Sequence, residues 1–288
     1  MNSSVASPNV ATLDHWVQHP HGKIFTRTWT PDEGAKQFQF SKAPIVLMHD
    51  SLGCVDLWRD FPAQLCRALE RPVIAYDRLG FGKSDARIGR PSLDFIAEEA
   101  PNYFPALYEQ LELERVILLG HSVGGGMGIH CAAQLGTHCE ALITIAAQVF
   151  AEERTLEGIR AARESFKEPS QRDRLARYHA DKTDWVLDAW IENWLDPGFA
   201  SWSVVGVLPS VYAPILALHG ERDEYGTTQH AKLISGLCGG PSQMELLPSI
   251  GHVPHREQPQ QVIDLLDLQH HRDSMVAGLP YGVRKVVE

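Results

Sequence analysis

Short, almost wholly apolar runs recur along the chain, each bounded by turn residues and each followed by a longer stretch of helical pattern. They cover Lys23–Trp29, Pro44–Asp50, Pro72–Asp77, Val116–Gly120, Ala141–Ala147, Pro214–Gly220 and Gln243–Pro248. A run that is apolar throughout suits a strand buried on both faces. Between the runs, helices are expected over Leu57–Leu69, Leu93–Leu111, Val123–Leu135, Gln229–Leu237 and Gln260–His271. Strand alternating with helix predicts an α/β fold: a mainly parallel sheet flanked by helices. The first run alternates Ile24, Thr26 and Thr28 with Phe25, Arg27 and Trp29, which predicts a more exposed, antiparallel edge strand.

One segment breaks the rhythm. Residues 150–207 contain no convincing strand, but they carry charged helical stretches and Trp185, Trp190, Trp194 and Trp202. That is long for a simple crossover. The expected organisation is a core of residues 1–149 and 208–288, with residues 150–207 inserted as a helical cap. Trp190 and Trp194 are four apart and share a helix face.

Composition narrows the partners. The 288 residues suit one large domain, with or without an insertion. Net charge is −10 and no basic cluster occurs, which argues against nucleic acid and toward a small, apolar or neutral molecule. No apolar run approaches the roughly 20 residues of a membrane helix. The first residues, MNSSVASPNVATLDHW, lack the basic start and apolar block of a secretory signal. Cys54, Cys66, Cys131, Cys139 and Cys238 are scattered, with no C-x-x-C pair, so neither zinc nor a disulfide framework is expected. A reducing, cytoplasmic setting is the simplest reading. The tail over 274–288 has no clear pattern.

The stretch VILLGHSVGGG, Val116–Gly126, runs a strand directly into a serine fenced by glycines. At a strand-to-helix junction, Gly120-His121-Ser122-Val123-Gly124 forms a sharp turn that lifts the serine hydroxyl above the sheet edge. Small residues are needed at 120 and 124, where side chains would strike neighbouring backbone. A serine hydroxyl is a weak nucleophile and needs a base, which in turn needs an orienting group. His252, directly after Gly251 in SIGHVPHREQP, is the expected base, with His255 as the alternative. Asp223, three residues past Gly220 in LALHGERDEYGT, is the expected acid; Glu224 is the alternative and Glu221 reads as a solvated loop charge. Acyl chemistry also needs N–H donors for the developing oxyanion. Val123 supplies one, and Ser51 or Leu52 in HDSLGCVDLW supplies the second, with Ser51 preferred. Val149, Phe150, Trp185 and Trp190 are candidate pocket walls.

Across nearly its whole length the chain resembles the α/β-hydrolase fold superfamily. The resemblance rests on IVLMHDSLG, YDRLGFGKSD, LLGHSVGGG, LHGERDEYG and GHVPHREQP, in that order. It implies an eight-stranded-type sheet, a Ser122–Asp223–His252 triad, a cap after the sixth strand and no cofactor or metal. Asp77, Gly80, Gly82 and Ser84 match an architectural turn. Two positions depart from the pattern. Asp50 stands where glycine is usual, and His121 stands where related carbon–carbon hydrolases often have asparagine, which favours esterases. A serine nucleophile also argues against dehalogenases and epoxide hydrolases of this fold, which use aspartate. The expected activity is cofactor-independent hydrolysis of a small carboxylic ester. A carbon–carbon hydrolase or lyase using the same triad is the alternative, and a catalytically silent ligand-binding protein is the third reading.

Overall fold

A computed structural model describes residues 10–31 and 40–267. Eight strands form one sheet: β1 (Ala11–His19), β2 (Gly22–Thr30), β3 (Ile45–Met48), β4 (Val73–Tyr76), β5 (Val116–His121), β6 (Cys139–Ile145), β7 (Ile215–Gly220) and β8 (Ser242–Leu247). Across the sheet they run β1-β2-β4-β3-β5-β6-β7-β8. The β1–β2 hairpin and the β2–β4 pair are antiparallel; every other pair is parallel. The helices are α1 (Phe61–Leu69), α2 (Phe95–Glu98), α3 (Phe104–Gln110), α4 (Val123–Leu135), α5 (Glu153–Ser165), α6 (Pro169–His179), α7 (Thr183–Trp194), α8 (Gln229–Leu237) and α9 (Pro254–Glu257). A further helix covers residues 259–267. The expected end of that helix and the patternless tail lie outside the described residues.

The apolar runs are central strands because both faces of the sheet are covered. Along β3, Val46 and Met48 join a core with Met127 and Ile129 of α4, whereas Ile45 and Leu47 join a second core with Leu65 of α1 and Ile263. Successive side chains of one strand thus feed opposite cores, as the two-residue period requires.

Three elements differ from the sequence reading, and one of them, the helix expected over Leu57–Leu69, begins only at Phe61, after a 3-10 turn at Val55–Trp58. The first expected strand, β2, is antiparallel, but β1 pairs along it and takes the edge. Of β1 only Val17 is buried, and Leu13 and Trp16 stand about half exposed, so its sequence carries no hydrophobic alternation. The helix expected over Leu93–Leu111 is broken into α2, a π turn at Glu99–Tyr103, and α3. Pro101 and Pro105 remove backbone donors there, and a wider turn accommodates the loss.

Between β6 and β7 the chain forms α5, α6 and α7 with no strand, closed at the base by a single Phe150–Ser203 bridge. This segment grips the loops that follow β3 and β4. His179 accepts the Gly82 N–H at 2.9 Å and donates to the Leu52 carbonyl at 2.9 Å. Lys182 Nζ donates to the carbonyls of Gly82 and Ser84, and Trp185 Nε1 to that of Gly89. The gripped loop is itself held by Asp77, whose carboxylate accepts the N–H groups of Val55 and Lys83. Burial, opposed by those two bonds, pushes the Asp77 pKa up to about 6. Among the described residues no helix is long and apolar enough to cross a membrane.

Candidate active site

β5 ends at His121 and α4 begins at Val123, so Ser122 alone makes the turn, at φ 56° and ψ −123°. A non-glycine residue in this region costs about 1–3 kcal/mol and persists only where the surroundings over-determine it. Here they do. A Cβ on Gly120 would stand on the carbonyl of Gly124, and one on Gly124 would stand on the carbonyl of Met48. The turn is therefore wedged between its own helix and the end of β3, which accounts for glycine at both flanks.

Loops from five parallel strands converge at this edge, the position where open α/β sheets collect ligands. Ser122 Oγ lies 3.0 Å from His252 Nε2, and His252 Nδ1 lies 2.8 and 2.9 Å from the two Asp223 oxygens. Asp223 also accepts the N–H groups of Tyr225 at 2.7 Å and Gly226 at 3.0 Å, which sets its carboxylate edge-on to the imidazole. All three side chains are buried. Burial opposes charge on His252, but the hydrogen bond and charge of Asp223, with Asp50 and Glu224 beyond, hold its pKa above the ordinary imidazole value. Asp223 is correspondingly held below the usual carboxylate value: burial would raise it, and His252 outweighs burial. Because Nδ1 faces a carboxylate it carries the hydrogen, which leaves the Nε2 lone pair toward Ser122.

The alternatives sit elsewhere. Glu224 accepts the His252 backbone N–H at 3.3 Å, so it steadies the loop rather than the ring. His255 packs behind the site against Trp58, Phe61 and His121, with ring centroids 4.7, 5.5 and 4.6 Å apart. Burial, with the nearby charges of His121 and Arg256, keeps its pKa well below the ordinary value. Of the candidate oxyanion donors, Leu52 N–H is taken by Asp50 Oδ1 at 2.8 Å. The N–H groups of Ser51 and Val123 have no acceptor among the described residues.

A cavity of about 200 Å³ opens on Ser122 and His252, walled by Ile159 of α5, Trp190 and Trp194 of α7, and Tyr225. Trp190 is among the residues that line it. Val149, Phe150 and Trp185 do not line it. Val149 is fully buried, its N–H bonded to His230 Nδ1; the Phe150 ring lies 4.5 Å from that of His230; and Trp185 packs on Phe81 at 5.5 Å. The reading of the sequence missed Gln148, whose Oε1 lies 3.1 Å from Ser122 Oγ. It is the first polar residue after β6, at the same sheet edge as Ser122, and that position was the available signal. Among the described residues no cluster of three His, Cys, Asp or Glu side chains could hold a metal ion.

The model of the alpha/beta hydrolase fold family matches residues 43–186. A curated relative, 1-acylglycerol-3-phosphate O-acyltransferase ABHD5 of Sus scrofa, is 44% identical over 89 residues, 30% of this chain. The match spans only 24% of that relative's length. Among solved structures, the proline iminopeptidase of Mycobacterium smegmatis superposes with a TM-score of 0.68 at 19% identity, covering 92% of this chain and all of that one. A thermophilic esterase from Thermogutta terrifontis gives a TM-score of 0.66 at 18% identity, covering 91% of this chain and 98% of that one. With half of its length matched by the family model, this chain belongs to the alpha/beta hydrolase fold family.

Proposed function

We infer that the protein is a serine hydrolase that cleaves small carboxylic esters through an acyl-enzyme, without a cofactor. One observation carries this reading: the unbroken chain from Ser122 Oγ through His252 to Asp223, at 3.0 and 2.8 Å, facing a mostly apolar cavity. His252 takes the Ser122 proton as Oγ bonds to the ester carbonyl carbon, and Asp223 stabilises the imidazolium. The N–H groups of Val123 and Ser51 receive the negative oxygen. His252 then gives the proton to the leaving alkoxide. In deacylation it takes a proton from water as the hydroxide oxygen bonds to the acyl carbon, and returns that proton to Ser122 Oγ as the acyl–Oγ bond breaks and the acid leaves.

Residues 150–207 act as the cap over a core of 1–149 and 208–288, since α5 and α7 supply the walls opposite Ser122. The small cavity, walled in part by Ile159, Trp190 and Trp194, and the absence of a basic cluster suit a small apolar or neutral substrate. The likeness to an acyltransferase over 89 residues favours a second acceptor, an alcohol in place of water, through the same acyl-enzyme.

Hydrolysis of p-nitrophenyl esters of increasing acyl length, by wild type and Ser122→Ala in parallel, tests the reading. Loss of activity with Ser122 supports it, and added glycerol reports transfer to an alcohol. A wild type inactive on every ester and unlabelled by a fluorophosphonate sinks it. Labelling without ester turnover redirects the search to carbon–carbon cleavage.

A further inference from the structure

The two departures from the resemblance, Asp50 and His121, touch each other. Asp50 Oδ2 lies 3.2 Å from His121 Nδ1, and His121 Nε2 lies 2.8 Å from the His252 carbonyl oxygen. Carboxylate and carbonyl oxygens only accept, so both contacts are hydrogen bonds only if His121 carries a hydrogen on each nitrogen. A neutral ring would leave one buried contact without its hydrogen, a costly arrangement for a residue 1% exposed.

Asp50 is held at every oxygen. Oδ1 takes the Leu52 N–H, and its backbone carbonyl accepts from His49 Nδ1 at 2.8 Å and Arg78 Nη2 at 2.7 Å. In a trans peptide the C=O and the following N–H point opposite ways. Turning the Asp50 carbonyl onto Arg78 therefore aims the Ser51 N–H away from Arg78. At the other end of the chain, His121 holds the backbone of His252. Position 50 does not have a positive φ, so glycine is not required there and aspartate fits without strain.

We propose that Asp50 and His121 form a buried ion pair that positions the reacting centre from two sides, fixing the Ser51 N–H through Asp50 and the His252 loop through His121. The role rests on the serine-hydrolase reading. Both act as positioning residues, through the groups they hold. In the pair, His121 offsets part of the pull that the Asp50 carboxylate exerts on His252. The other charged or titratable groups facing it are His252, His255, His49, His179, Arg78, Tyr225 and Arg256. Burial first, and for His49 the neighbouring Arg78, holds the pKa of His49 and of His255 well below the ordinary value, and the carboxylate in contact with His121 is that of Asp50.

The test uses the full chain as wild type, Asp50→Asn, His121→Gln and the double variant. Imidazole nitrogen NMR on ¹⁵N-histidine protein reads His121 without any substrate, assigned by its loss in His121→Gln. Wild type is expected to show both nitrogens protonated at pH 7, and Asp50→Asn a single tautomer. On esters, each single variant is expected to lose about 10- to 100-fold in kcat with KM within about threefold, and the double variant to be no worse than the poorer single. His121→Gln leaves the Asp50 carboxylate unbalanced near His252, so the acid limb of kcat/KM moves to higher pH; the double variant brings it back. A purely structural role would not produce that return. Should His121→Gln fail to fold by thermal unfolding, Asp50→Asn, which keeps the side-chain shape, carries the test.

A neutral His121 in the wild type, additive losses, or variants as active as an active wild type overturn the proposal. A wild type inactive on every ester and unlabelled by fluorophosphonate overturns the hydrolase reading, and the positioning role with it.

Discussion

Replacing Gln148 by methionine probes the nucleophile directly. Ser122 has one proton and two neighbours in reach, His252 Nε2 at 3.0 Å and the Gln148 carboxamide at 3.1 Å. The proton belongs to Nε2, because Nδ1 already donates to Asp223. The amide contact is then satisfied only when the carboxamide turns its N–H toward Oγ, since two oxygens with no hydrogen between them repel. An N–H donated to Oγ strengthens as negative charge develops there during attack. A neutral hydrogen bond is worth about 0.5–1.5 kcal/mol net, and one to a charged oxygen about 1.5–3 kcal/mol. The gain specific to attack is thus about 1–2 kcal/mol, or roughly 5- to 30-fold in acylation rate. Gln148 is 2% exposed, and methionine keeps its length and volume, so the thermal midpoint is expected to stay within a few degrees. The assay is single-turnover release of p-nitrophenol, with the rate of fluorophosphonate labelling as a check independent of substrate. Gln148→Glu, which cannot donate when ionised, is expected to be slower than Gln148→Met. If Gln148→Met acylates faster than wild type, the amide oxygen was withholding the serine proton and the reasoning is refuted.

Turnover requires neutral His252, and its raised pKa places the acid limb of kcat/KM above the ordinary imidazole range; Asp223→Asn, by removing the main raising influence, is expected to move that limb to lower pH while cutting kcat severely. Gly124→Ala sets a Cβ against the Met48 and His49 carbonyls, so a kcat loss of about 100-fold from displaced geometry is expected, with a measurable fall in thermal midpoint. Trp185→Ala removes the ring packed on Phe81 and the bond to Gly89, and a rise in KM larger than the fall in kcat would mark a loosened cap. Burial pushes the Cys66 and Cys139 thiols up to about 12, and Cys54 and Cys131 are also raised and buried; a disulfide reagent on the native protein at pH 7 is therefore expected to modify Cys238 first, and rapid loss of two or more thiols would contradict the packing.

The parallel sheet was legible because its central strands are apolar on both faces, a pattern that survives in one dimension. The same holds for the turn at Ser122, where backbone collisions demand glycine at fixed offsets, and for the loops carrying Asp223 and His252, which follow strand ends. β1 was not legible, since an edge strand buries only Val17 and holds its place through backbone bonds to β2 that any sequence can make. Nor was the break at Glu99–Tyr103 anticipated, although Pro101 and Pro105 are the cause. What the tertiary structure alone decided are relations between residues distant in the chain. Trp185 faces the β4 loop instead of the cavity, Gln148 reaches Ser122, and Asp50 meets His121 across 71 positions. Periodicity and turn chemistry encode where a strand ends; which side chains then face one another depends on how the loops of β3, β5, β6, β7 and β8 close over a common edge, and no local pattern carries that information.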